Sequence, residues 1–258
     1  MLHKHGITCG DKPYTIYTYD VLDSTNTFLK QHISDFPDFS VVWAQNQTGG
    51  RGRFDRKWSS AEGKDLTFSV VVPLKNLKKQ LWQNIPQITA CAISDILLDH
   101  GLENLIKWPN DILVKEKKIC GILCETIEAE KSWYAVLGVG LNVNSTRDDL
   151  MRVGLPATSL CAELNRTILR DDLIAGLVDR ILVYFNELCT LGFSSFQKRL
   201  KQRLAWLNEQ KTVVDGNHTY TGFIADINPD GTLLFRCNDG TSKTLCSGEI
   251  SFGQTEKR

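Results

Sequence analysis

The residues with the greatest chemical capacity lie in "QNQTGGRGRFDRKWSS", residues 45 to 60. Arg51, Arg53, Arg56 and Lys57 face one acid there, Asp55, with Gly49, Gly50 and Gly52 among them and Trp58 close behind. Glycines let backbone N–H groups approach an anion, guanidinium forks match carboxylate and phosphate oxygens, and an indole offers a flat apolar surface. Read alone, the segment is either a solvated basic loop or an anion-binding loop that folds over a charged small molecule. Thirty Lys and Arg balance thirty Asp and Glu over the chain. No broad basic field is implied, so a small anionic ligand is favoured over nucleic acid.

Three other segments carry polar groups at or near strand ends. "DSTN" supplies Ser24, Thr25 and Asn26. "KWPND" supplies Lys107, Asn110 and Asp111 after a corner set by proline. It is either a turn with side-chain caps or a magnesium and phosphate site, with Asp111 as the hard oxygen. "KKICGILCE" supplies Lys118, either a snorkelling surface group or an ammonium aimed at a carboxylate or phosphate, and Gly121, which lets a ligand lie against the strand. Strict alternation puts Lys118, Cys120, Ile122 and Cys124 on one face, and Ile119, Gly121, Leu123 and Glu125 on the other. "GRGRFD" lacks the Gly-Lys-Ser/Thr ending of the common phosphate loop, and "GVGLNV" lacks the third glycine of the dinucleotide fingerprint. None of the five histidines has a nucleophile partner in a recognisable motif. That suits a substrate carrying its own nucleophile, such as a carboxylate attacking ATP, where the enzyme mainly orients and stabilises charge.

These groups need strands and helix ends to hold them. "YTIYTYDVL" (14–22), "SVVWAQNQ" (40–47) and "LTFSVVV" (66–72) read as strands, and "DSTNTFLKQH" as a turn entering a helix capped by Asp23, Ser24 or Thr25. Residues 86 to 100 have helical spacing closed by Gly101. "KKICGILCETIE" and "SWYAVLGVGLNV" form a hairpin, and two helices follow near 171–190 and 194–208. From 211 to 253 the pattern changes to short strands broken by "DGNH", "NPDG" and "NDG". The expected division is 1–208 and 209–258, the second part being a small barrel docked on the first.

The eight cysteines are scattered and several lie in apolar runs, which reads as reduced thiols in a cytoplasmic protein. Cys120 and Cys124 find no second pair to complete a zinc set. No apolar run approaches the roughly twenty residues of a membrane-spanning helix.

Taken together, "DSTN" (23–26), "QTGGRGRFDRKW" (47–58), "KWPNDILV" (107–114), "KICGILCE" (118–125), "GVGLNVN" (138–144) and "GEISF" (248–252) resemble bacterial biotin protein ligases in order and spacing. The resemblance covers about residues 15 to 253. It implies an α+β fold: a mixed β-sheet packed with helices, followed by a small SH3-like barrel. It implies an enzyme that converts biotin and ATP, with Mg2+, to biotinyl-5'-AMP, then passes biotin to a lysine of a biotin carboxyl carrier protein domain. Ser24, Thr25, Asn26 and Gln47 would meet the biotin head, and Arg51, Gly52 and Arg53 would close over it, with Gly121 in the biotin site. Lys118 would contact the biotin carboxylate, with Arg53 as its catalytic companion on the adenylate. Arg56, Trp58, Lys107, Asn110 and Asn142 would serve ATP, and Asp111 the metal. Copies in the family pair through sheet edges, so a homodimer is an expectation. Two departures stand out. Phe54 and Asp55 replace an Arg-Gly pair of "GRGRRGR", making this loop less positive. No DNA-binding domain precedes the catalytic pattern, so no repressor role is expected. A lipoate ligase or octanoyl transferase, and a nucleotide-binding regulator or carrier-binding module without catalysis, are the alternatives. "GRGR" followed by "KW", with "KWPNDILV", favours biotin over lipoate, and Lys118, Arg53 and Asp111 favour an enzyme over a module.

Overall fold

The computed structural model describes residues 5–8, 14–151, 154 and 156–251. Eight strands form one sheet: β1 (His5–Thr8), β2 (Thr15–Leu22), β3 (Val41–Gln47), β4 (Leu66–Pro73), β5 (Leu105–Lys107), β6 (Asp111–Val114), β7 (Lys117–Ala129) and β8 (Ser132–Leu141). Their spatial order is β1-β2-β3-β4-β8-β7-β6-β5. Only β2 and β3 run parallel. Every residue of β4 is buried because both faces of the sheet are covered, and even its polar residues, Thr67 and Ser69, are internal.

One face packs against α2 (Ile85–Asp99), α5 (Arg170–Leu191) and α6 (Ser194–Gln202), with the short α3 (Arg147–Met151) and α4 (Leu160–Leu164) in the connection before α5. Val41, Trp43, Phe68, Val70 and Leu137 belong to that core. The other face carries a smaller cluster, Val42, Ala44, Val71 and Val136, under α1 (Thr25–Gln31). Ser24 caps α1 by accepting from Thr27 N. The α6 helix stops at Gln202, short of the expected 208, and Trp206 and Asn208 take positive φ in the turns beyond it. Helices α3 and α4 were not expected. They are single turns, too short for an apolar period to register.

The C-terminal strands are β9 (Gln210–Asp215), β10 (His218–Ile227), β11 (Leu233–Cys237), β12 (Ser242–Leu245) and β13 (Glu249–Ile250), in the order β12-β11-β10-β9-β13 and all antiparallel. The expected turns are present, with Gly216, Gly231 and Gly240 at positive φ. The expected SH3-like barrel is not. The sheet is open, because its edge strands, β12 with four residues and β13 with two, do not pair with each other. Closure is not needed to shelter the apolar face. Val213, Ile224, Phe235 and Ile250 enter the same core as the α2 face of the large sheet. Polar contacts fix the docking: Trp108 Nε1 and Gln87 Nε2 donate to Gly231 O at 3.1 and 2.9 Å, and Asn84 Nδ2 donates to Asp230 O at 2.9 Å.

Candidate active site

The basic segment folds as a narrow hairpin. Trp58 N donates to Gly50 O at 2.9 Å and Gly52 N to Arg56 O at 2.7 Å, leaving Arg53, Phe54 and Asp55 at the tip. Gly50 has no room for a side chain, since a Cβ there would strike Trp58 O. Phe54 and Asp55 both hold positive φ, 55° and 56°, a conformation that favours glycine. The hairpin lies over the α1 face of the sheet.

Beneath it is a cavity lined at one end by Ser24, Thr25, Asn26 and Gln47. Its polar groups are fixed by neighbours. Gln47 Oε1 accepts from Thr25 N at 2.8 Å and from Thr25 Oγ1 at 3.2 Å, so the group Gln47 has to offer is its Nε2 donor. Asn26 Nδ2 donates to Leu123 O at 3.2 Å and Glu125 Oε2 at 3.0 Å, while its Oδ1 accepts from Ser69 Oγ at 2.6 Å. Asn26 therefore presents an acceptor. Thr25 and Asn26 reach these positions because α1 begins at the end of β2, and Gly138 below leaves the space that Asn26 fills.

Lys118 arrives by a route that alternation misses. The β6–β7 register pairs Ile112 with Cys120 but Leu113 with Lys118, leaving Ile119 as a bulge. The bulge turns Lys118 onto the face of Gly121, whereas strict alternation put the two on opposite faces. A Cβ on Gly121 would stand 2.9 Å from Lys118 Nζ and from the Trp58 ring. Gly121 and Gly140 are cross-strand partners, and the indole of Trp58 lies on the flat patch they leave. Lys118 Nζ is 5.5 Å from the Trp58 ring centre and 2.8 Å from Asp111 Oδ1. Lys107 Nζ is 3.9 Å from the other Asp111 oxygen. Burial pushes the Lys107 ammonium below its ordinary pKa, against the pull of Asp111.

A second cavity adjoins the first through Arg53, Trp58, Asn110, Asp111 and Lys118, which line both. Arg56, Lys107 and Asn142 line only the second. Arg53 Nη1 donates to Asn110 Oδ1 at 2.8 Å and to Gly248 O at 3.5 Å, and Arg56 is ion-paired with Glu249. Burial lowers the Arg53 pKa, with Asp111 and Glu249 opposing the shift. The Trp58 Nε1 donor is buried with no hydrogen-bond partner among the described residues.

Every residue assigned to biotin from the sequence lines the first cavity: Ser24, Thr25, Asn26, Gln47, Arg51, Gly52, Arg53, Lys118 and Gly121. Those assigned to ATP line the second. Sequence reasoning missed Ser69, Glu125 and Asp65. Ser69 is fully buried and sits between Thr25 and Asn26; with Thr67 it is one of two hydroxyls in an otherwise apolar strand, a signal that could have marked it. Asp65 ties the segment after Trp58 to the one holding Asn142. It accepts from Ala61 N at 3.0 Å, Val143 N at 2.9 Å and Ser145 N at 3.2 Å, and no local pattern announces that. Among the described residues no cluster of three ligating side chains exists, and no helix is long and apolar enough to cross a membrane.

The sequence model of the Biotin/lipoate A/B protein ligase family matches residues 18–142. The Bifunctional ligase/repressor BirA of Bacillus subtilis is 31% identical over 250 residues, spanning 91% of this chain and 73% of that protein. The Biotin--[acetyl-CoA-carboxylase] ligase of Mycobacterium tuberculosis is 28% identical over 237 residues, 88% and 85% of the two chains. Among solved structures, a biotin protein ligase from Aquifex aeolicus in complex with biotin and ATP matches with a TM-score of 0.78 at 26% identity, covering 92% of this chain and 97% of that one. The chain belongs to the biotin/lipoate A/B protein ligase family.

Proposed function

We propose that this chain is a biotin protein ligase: it activates biotin with ATP to biotinyl-5'-AMP and transfers the biotinyl group to a lysine of a biotin carboxyl carrier protein domain. One observation carries the reading. Two cavities meet at Lys118, Arg53 and Trp58, and the far end of one is complementary to a cyclic urea. The acceptor of Asn26 suits a urea N–H, and the donor of Gln47 suits a urea carbonyl. The M. tuberculosis relative is named for biotin and acetyl-CoA carboxylase, and the A. aeolicus structure is a complex with biotin and ATP.

In the first step a biotin carboxylate oxygen attacks the α-phosphorus of ATP. The bond to the bridging oxygen breaks and pyrophosphate leaves with the electron pair. Lys118, at the junction of the cavities, is assigned to the carboxylate and to the charge that grows on the phosphoryl oxygens. Arg53 is assigned to the same phosphate, and Trp58 to the adenine side. The carrier lysine, as the free amine, then attacks the acyl carbon, AMP departs, and the new amide nitrogen gives up its proton. The chain's part is to orient the reactants and to keep water from the mixed anhydride.

Asp111 is the carboxylate assigned to magnesium. Its neighbours Lys107 and Lys118 make a lone carboxylate a weak resident site, so Asp111 would hold an ion brought in with the triphosphate. Magnesium would neutralise charge on the departing pyrophosphate. Residues 1–208 are proposed as the catalytic unit and 209–258 as the C-terminal unit, supported by the change of sheet at Gln210. The cytoplasm is the proposed compartment, on the buried free thiols of Cys91 and Cys120 and the ATP requirement.

Mass spectrometry of a carrier domain incubated with the protein, MgATP and either biotin or lipoate tests the reading. A biotin-sized adduct on one lysine is expected. A lipoyl adduct alone, or none with either acid, overturns it.

A further inference from the structure

Glu125 belongs to β7, two residues beyond Leu123, and lies outside the wall of the ring cavity that Leu123 lines. Its two oxygens nevertheless gather groups from both walls. Oε1 accepts from Lys30 Nζ at 2.6 Å and lies 3.2 Å from Arg51 Nη1. Oε2 accepts from Asn26 Nδ2 at 3.0 Å and Arg51 Nη1 at 3.3 Å. One carboxylate thus joins the helix that carries the ring contacts to the first arginine of the hairpin that covers them.

We propose that Glu125 is a positioning residue that sets the hydrogen-bond polarity of the ring cavity and seats the covering hairpin. This rests on the reading of that cavity as the biotin-head site. The argument begins with Asn26. An amide side chain can be turned over with little change of shape, exchanging its donor and acceptor ends. Here its NH2 faces two acceptors, Leu123 O and Glu125 Oε2, and the reversed amide would oppose oxygen to oxygen at both. Glu125 carries the charge in that pair, so it is the stronger determinant. With both N–H groups committed, Asn26 has only Oδ1 left for a ligand, and Ser69 Oγ already uses part of it. The remaining lone pair selects a ring that carries an N–H. A ring lacking it leaves a buried acceptor unpaired, which is how a site rejects a near isostere.

The second arm runs through Arg51. Its side chain is 39% exposed and is the first cation of the hairpin, and Glu125 is the acid it meets beneath the loop. Lys30 brings a second positive charge to the same carboxylate. Without Glu125, Arg51 and Lys30 would face each other as like charges, and the hairpin would lose its anchor on the ring side. Burial raises the Glu125 pKa, but the hydrogen bonds from Lys30 and Asn26 and the charges of Lys30 and Arg51 outweigh it and hold the carboxyl below its ordinary value. The group therefore stays ionised at neutral pH, as the clamp requires.

Calorimetric titration of the full chain with biotin, and with biotin methylated on its ureido nitrogens, tests this. Wild type is expected to bind biotin and reject the methylated ligand. Glu125→Gln keeps the shape and removes the charge. It is expected to weaken biotin by about ten-fold, to narrow the discrimination between the two ligands, and to leave the KM for ATP unchanged. In an Asn26→Ala background the same change is expected to leave the ligand ratio where Asn26→Ala alone set it. Lys30→Gln removes a charge partner but keeps the bond from Glu125 to Asn26, so ring discrimination is expected to survive there, and this arm holds even if Glu125→Gln does not fold. Lys30→Gln that abolishes discrimination overturns the proposal. So does Glu125→Gln with wild-type affinity and discrimination, or with equal losses for both ligands, which is the behaviour of a merely structural carboxylate. A wild-type chain that binds neither ligand sinks the biotin reading itself, and this proposal with it.

Discussion

Arg56 of the basic hairpin is ion-paired with Glu249 of β13, a residue 193 positions further along the chain. Arg53 of the same hairpin reaches Gly248 O. The cover of the second cavity, proposed for the nucleotide, is thereby fastened to the C-terminal sheet. Glu249→Gln is expected to raise the KM for ATP while sparing that for biotin. The pair is partly exposed, so its worth is about 0.2–1 kcal/mol, or at most about five-fold. Steady-state kinetics with each substrate varied in turn reads this. Equal effects on both substrates would contradict the placement.

Lys118→Ala is expected to abolish most biotin-dependent pyrophosphate release with little change in thermal stability. Removing the charge partner of a desolvated carboxylate costs about 2–5 kcal/mol in that interaction. Folding suffers less, because Asp111 keeps Lys107 as its other neighbour. Turnover at the wild-type rate would remove Lys118 from the chemistry.

Two glycines predict opposite outcomes for the same substitution. A methyl on Gly140 would overlap the Trp58 indole, whereas nothing lies within 4 Å of a Cβ on Gly176 in α5. Gly140→Ala is expected to displace Trp58, shift its fluorescence and reduce adenylate formation. Gly176→Ala is expected to leave activity intact and stabilise the helix by about 0.5–1 kcal/mol. A fully active Gly140→Ala enzyme would show that Trp58 need not lie on the sheet.

Glu125 also predicts a pH dependence. Its carboxyl is held below the ordinary value, so the folded chain favours the ionised form more than the unfolded chain does. The resulting stability is fully present above the unfolded glutamate pKa of about 4.3 and is lost as pH falls through the lower folded value. Melting curves of wild type and Glu125→Gln should differ by a constant amount near neutrality, and the gap should close as the solution is acidified through that window. A gap that persists in acid would mean that Glu125 does not supply the charge-linked stability.

Much of this was legible because it is local. The strands 14–22, 40–47 and 66–72 and the helix 86–100 announce themselves by period and by stop signals, and each motif residue carries its own chemistry. What was not legible depends on distance or on register. Lys118 was placed on the wrong face because a single bulge at Ile119 reverses the alternation, and only the partner strand β6 reveals it. Glu125 gave no sign, because its role is defined by Lys30 and Arg51, 95 and 74 positions away. The barrel was expected from turns spaced closely enough to close a sheet. Turns do not say whether the edge strands meet, and here the docking surface takes the place of closure.

The apolar side chains of the C-terminal sheet share one core with α2 and the large sheet, and the Asp230–Gly231 turn is held by Asn84, Gln87 and Trp108. Its heat-capacity trace is therefore expected to show a single peak, with no early shoulder from the last forty or so residues. For engineering, the sheet cannot be exchanged for that of another ligase as an interchangeable part. A graft must bring its own partners for residues 84, 87 and 108, or it will unsettle the floor on which Trp108 and the neighbouring Lys107 rest.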